Sequence, residues 1–143
     1  MATEKTARAT WEGDLSGSGR VSTESGAVTE QRMTWSARAE GVEGASPEEL
    51  IAAAHASCVS MALAHALAQE GASPKRLDTD AKATFDKAGD GFRMTTMKLT
   101  VRGEVEGIDE ARFREVAEQA KENCPVSQAL KGNVEISLDA ALD

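Results

Sequence analysis

The chain has 143 residues, of which 41% are apolar and 28% charged, and its net charge is −8. That size fits a single domain over residues 1–143, and the scattered Lys and Arg residues exclude the basic stripe that DNA, RNA or an anionic membrane surface requires. No apolar run is expected to span a membrane and the N-terminus has no apolar signal segment, so a soluble cytoplasmic protein is expected.

Aromatic residues are few, with three Phe, two Trp and no Tyr, so the core must come from Ala, Val, Leu, Ile and Met. The first forty residues read as strands. Thr6 to Glu12 places Ala7, Ala9 and Trp11 on one parity, and a Ser/Gly-rich loop from Asp14 to Gly19 leads into a second run at Arg20 to Glu24. A hairpin follows from that order. Met33 to Glu40 alternates again, with Met33, Trp35, Ala37 and Ala39 on one face and Arg38 on the other, and is expected as a third strand.

A helix start comes next. Ser46 can cap, Pro47 suits the first helical position, and Glu49 stands three residues after Ser46. That combination is a capping box with proline at N1. Glu48 to Gly71 is rich in alanine and holds no glycine or proline before Gly71, which can end the helix. Both faces are largely apolar or small, so cover on most sides is expected. Leu77 to Phe85 and Met94 to Val105 alternate around an Ala88–Gly91 turn, a long hairpin. Asp109 caps a second helix with the stripe Phe113, Val116, Ala117 and Ala120, and Cys124 continues its phase. Pro125 disfavours helical geometry at Cys124 and starts a short helix that Gly132 ends; Val134 to Ala140 makes a last strand. The order implies α+β with mainly antiparallel sheet around a long central helix. A homodimer is the simplest cover for so apolar a helix.

Cys58 and Cys124 are the two cysteines. They fit three readings: buried packing residues, a structural disulfide, or a reactive pair. A permanent disulfide is disfavoured in a reducing compartment, and there is no Cys-x-x-Cys. Cys124 precedes a helix start, where unpaired N–H groups favour a thiolate. Glu48 has an ordinary place among first-turn acids, and Arg38 alone reads as a solvated charge. His55 and His65 could join the cysteines in a metal site, but no ligand spacing matches structural zinc, so no metal is expected. Walker, dinucleotide and Gly-x-Ser-x-Gly motifs are absent.

The stretch from Ser46 to Cys58, Ser-Pro-Glu-Glu-Leu-Ile-Ala-Ala-Ala-His-Ala-Ser-Cys, resembles the first-cysteine helix of the OsmC/Ohr proteins, osmotically inducible protein C and the organic hydroperoxide resistance proteins. Glu122-Asn-Cys-Pro-Val-Ser127 resembles their second-cysteine motif. Thr10 to Asp14, Val21 to Gly26 and Arg38-Ala-Glu-Gly41 resemble the OsmC branch in particular. The resemblance runs from about Ala7 to Ala140. It implies an intertwined α+β homodimer and a cysteine-based peroxidase that reduces organic hydroperoxides to alcohols in oxidative and osmotic stress defence. It makes Cys58 the peroxidatic cysteine, Cys124 the resolving cysteine, and Arg38 and Glu48 their catalytic companions, with Arg20 as an alternate arginine. Ala39 stands where the branch has Phe, which is expected to enlarge or reshape the nearby pocket.

The resemblance implies no bound cofactor. The disulfide would be recycled by an external dithiol, a dihydrolipoyl group on a lipoylated protein. Arg38, always charged and fork-shaped, would lower the Cys58 pKa while Glu48 holds it in place. The rival readings are a small-molecule binding protein with two incidental cysteines, a metal-binding stress protein, and a cytosolic redox sensor without turnover.

Overall fold

The computed structural model describes residues 2–143. They form two compact units, one ending at Leu50 and the other spanning Ile51–Asp143.

The first unit holds a three-stranded antiparallel sheet. β1 (Ala7–Glu12) pairs with β2 (Ser18–Thr23), and β2 pairs with β3 (Gln31–Met33). The β1–β2 loop is closed by Asp14, whose Oδ1 accepts from the Ser16 N–H at 2.9 Å, and by the Trp11 indole donating to the Asp14 carbonyl. Such side-chain turns are what Asp in a Ser/Gly-rich loop provides. The third strand is shorter than expected. Instead of continuing, the chain forms a short helix, α1 (Trp35–Ala39). Thr34 caps it, its hydroxyl accepting from the Ala37 N–H at 3.2 Å. The alternation of Trp35, Ala37 and Ala39 looks like a strand, but a threonine cap followed by helix-tolerant residues outweighs it. Arg38 therefore sits on a helix and not on a strand's polar face.

Helix α2 (Pro47–Gln69) starts and stops as its chemistry dictates. Ser46 Oγ accepts from the Glu49 N–H at 3.1 Å. At the other end Gly71 has φ +81°, and the Ala72 and Gly71 N–H groups return to the Leu67 and Ala68 carbonyls. That is a Schellman ending, which favours glycine because of the left-handed backbone. By length and composition α2 is long and apolar enough to cross a membrane, which corrects the expectation that no run reaches that length. Its buried stripe, however, is Ala52, His55, Val59, Leu63 and Leu67, spaced three and four apart as on one face of a core helix. Within the single chain the cover is one-sided: Ala53, Ala54, Ser57, Met61 and His65 are exposed.

That stripe belongs to the core of the second unit. β4 (Ser73–Ala88) and β5 (Gly91–Glu106) form an antiparallel hairpin, and β6 (Glu135–Leu142) pairs with β5 in parallel. Met97, Leu99 and Val101 of β5 are fully buried, with Phe113 and Val116 of α3 (Glu110–Asn123). The Phe113 ring lies over Gly103, where a Cβ would meet it at 2.8 Å. Asp109 caps α3, accepting from the Arg112 N–H at 2.8 Å. The phase set by Phe113, Val116, Ala117 and Ala120 delivers Cys124 into the same interior.

Candidate active site

Two pairs of side chains gather the residues singled out from the sequence. In the first unit, Arg38 on α1 meets Glu48 in the first turn of α2. Arg38 Nε donates to Glu48 Oε1 at 3.0 Å and Nη2 to Oε2 at 2.9 Å. This fork-on-carboxylate geometry is the strongest form of the Arg–carboxylate bond. The arginine side chain is 36% exposed and the glutamate 11%, so the carboxylate, placed at the positive end of α2, is the anchored partner. Arg38 also borders an apolar cavity of about 400 Å³, with Trp11, Leu15, Met33, Trp35 and Leu50 in its wall. Ala39 is exposed, so a change of side chain there faces solvent. Arg20, the alternate, is exposed on β2 with Nη1 3.4 Å from the Glu30 carbonyl.

In the second unit, Cys58 and Cys124 come together from positions 66 apart, with Cys124 Sγ 2.8 Å from Cys58 Sγ. Both are free thiols; Cys58 is half-buried and Cys124 has no exposed surface. The meeting is arranged by Pro125. Cys124 ends α3, its N–H donating to the Ala120 carbonyl, and it also opens α4 (Pro125–Leu130), its carbonyl accepting from the Gln128 N–H. At φ −60° and ψ 130° it is extended, as a residue before proline must be. The chain turns there and the thiol is left facing α2.

Burial, followed by the Cys124 thiol, raises the Cys58 pKa, while a hydrogen bond from the Val126 N–H lowers it. The backbone donor expected to serve Cys124 thus serves Cys58. The reason is positional. Pro125 has no N–H, so the first free donor of α4 belongs to Val126, and it reaches across to the other sulfur. One further contact near the cysteines was not foreseen: His55 Nε2 lies 2.7 Å from Ser127 Oγ. Neither residue type marks such a pairing in the sequence. Among the described residues no three His, Cys, Asp or Glu side chains form a group that could hold a metal, and the exposed His65 bonds with Gln69.

The family model described as OsmC-like protein matches residues 39–139. The chain belongs to the OsmC-like family. It is 46% identical to peroxiredoxin OsmC of Escherichia coli K12, over 99% of each chain. It is 27% identical to organic hydroperoxide resistance protein OhrB of Bacillus subtilis, over 85% of this chain and 88% of that relative. The crystal structure of that OhrB matches with a TM-score of 0.74 over 94% of this chain and 97% of its own. An organic hydroperoxide resistance protein from Elizabethkingia anophelis gives 0.76 at 25% identity over the whole of both chains. The OsmC/Ohr resemblance of the two cysteine motifs is therefore matched along the full chain. Of the two relatives, the OsmC one is the more similar.

Proposed function

We propose that this OsmC-family protein is a cysteine-based peroxidase that reduces organic hydroperoxides to alcohols and so serves in peroxide stress defence. The observation that carries the reading is the 2.8 Å approach of the Cys58 and Cys124 sulfurs. Two free thiols brought into contact by a proline-directed turn are arranged for a reversible disulfide. The kinship with proteins named peroxiredoxin and organic hydroperoxide resistance protein supports the same activity.

Cys58, the partly exposed sulfur, is the peroxidatic residue. Its thiolate attacks the outer peroxide oxygen, the O–O bond breaks, and the alkoxide leaves as an alcohol after taking a proton. Cys124 then attacks the sulfenic sulfur, forming the disulfide and releasing water. An external dithiol, with a dihydrolipoyl group on a lipoylated protein as the expected donor, returns both thiols. Within its own unit Cys58 is held protonated by burial and by its neighbour, so the reading needs a cation. Arg38 is assigned that task, with Glu48 as its holder. A guanidinium favours the thiolate and can stabilise the alkoxide charge that develops. The apolar cavity beside Arg38 suits an alkyl or lipid hydroperoxide better than hydrogen peroxide. The exposed, alanine-rich face of α2 with Met61 supports a homodimer.

The test is peroxide oxidation of the reduced protein with thiol mapping by mass spectrometry. Cumene hydroperoxide should give a Cys58–Cys124 disulfide in the wild type and a Cys58 sulfenic acid in Cys124→Ser. A Cys58 thiol that stays reduced under excess peroxide refutes the reading.

A further inference from the structure

His55 stands three residues before Cys58 on α2, and Ser127 stands three residues after Cys124 on α4. Both are buried, at 0% and 5% exposure. Their hydrogen bond, 2.7 Å from Nε2 to Oγ, joins positions 72 apart. Burial pushes the imidazole pKa down, so the ring is neutral near pH 7 and carries one N–H. Nδ1 is buried and has no hydrogen-bond partner. With the proton on Nε2, the orphan is a bare acceptor. The other tautomer would strand an N–H, the rarer condition in protein interiors. Nε2–H therefore donates to Ser127 Oγ.

This bond ties the stretch of α2 that carries Cys58 to the first turn of α4. That same turn follows directly on Cys124 and supplies the Val126 N–H to Cys58. A buried histidine with one nitrogen unsatisfied costs stability that an apolar residue would not. A role in positioning accounts for its place.

We propose that the His55–Ser127 hydrogen bond sets the rotation of α4 against α2, and with it the approach of the Cys124 sulfur to Cys58, so that both are positioning residues for disulfide closure. The proposal rests on the reading of the two cysteines as a redox pair. In the step concerned, the Cys124 sulfur bonds to the Cys58 sulfenic sulfur and the S–O bond breaks. The departing hydroxide takes the thiol proton and leaves as water. Neither His55 nor Ser127 exchanges a proton with the sulfurs in this role.

The closing experiment equilibrates the full-length protein with reduced and oxidised glutathione, where the protein dithiol reduces glutathione disulfide to two glutathione molecules. The thiol-to-disulfide ratio is read by alkylation and mass spectrometry. Loss of the hydroxyl in Ser127→Ala should lower the equilibrium constant for the Cys58–Cys124 disulfide about tenfold, a shift of ~30 mV. Closure of the disulfide after a peroxide pulse should slow in parallel. Ser127→Thr keeps the hydroxyl and His55→Gln keeps an N–H donor, so either should restore the ratio. His55→Leu should behave as Ser127→Ala does. An unchanged ratio in Ser127→Ala, or no restoration by either conservative variant, overturns the proposal. The titration uses no peroxide. A wild type that closes the disulfide in glutathione but ignores hydroperoxide refutes the peroxidase and leaves the positioning role to be judged on its own numbers.

Discussion

The Arg38–Glu48 pair of the first unit is a two-point ion pair. The arginine side chain is 36% exposed, and two parallel hydrogen bonds hold it without deep burial. In the Cys58–Cys124 pair of the second unit, Cys124 lies in the core and half-buried Cys58 packs against that core, and the surroundings raise the Cys58 pKa. One pair holds an arginine fork on a carboxylate, the other brings two sulfurs into contact. A peroxidase needs a thiolate, and proximity of thiols does not supply one. In the proposed reading the second region supplies the contact and the Val126 N–H, and the charge is the task proposed for Arg38.

The sharpest way to break this comparison is to remove the attacking sulfur. Cys58→Ser should reduce hydroperoxide turnover with a dithiol to the rate of buffer alone. If turnover survives, the chemistry lies elsewhere. Next comes the charge. Arg38→Lys keeps the positive charge and loses the fork, and a charge-assisted bidentate bond is worth about 1.5–3 kcal/mol. Its kcat/KM for cumene hydroperoxide should accordingly fall about ten- to a hundredfold, with the melting temperature little changed.

A smaller effect concerns pH. Alkylation of Cys58 by iodoacetamide should rise with pH as the thiol ionises. In Arg38→Met its inflection should move upward, toward the raised value that the second unit alone imposes. An inflection at the same pH in both proteins would separate Arg38 from the thiol. His55 gives a stability signature at lower pH. Its folded pKa is lowered, so the unfolded chain binds more protons below its ordinary value of about 6.5. Stability should be flat above that pH and fall as pH drops through the window beneath it, as read by urea midpoints. Smallest is Gly71→Ala, with φ +81° at that position, which should cost about 1 kcal/mol and leave peroxide kinetics alone.

Much of the fold was legible where local chemistry decides. Ser46, Pro47 and Gly71 bounded α2 because caps and left-handed glycines act within one turn. Asp109 and the Phe113–Ala120 stripe did the same for α3. Residues 35–39 misled because Trp35, Ala37 and Ala39 fit a strand's alternation, while the deciding contact was one Thr34 hydroxyl. The parallel pairing of β6 with β5 depends on non-local packing, which no short-range pattern records. The candidate site was legible through its cysteine motifs rather than through geometry. The destination of the Val126 N–H and the His55–Ser127 bond could not be read because both depend on how α4 turns after Pro125.

The complete burial of Cys124 has a consequence for oxidative injury. Oxidants in solution meet Cys58 and not its partner. Progress to sulfinic and sulfonic acids, which most cells do not reverse, is then confined to a single sulfur. In the proposed cycle the second thiol would stay intact in reserve, and each closure of the disulfide would take the first off the route to permanent loss.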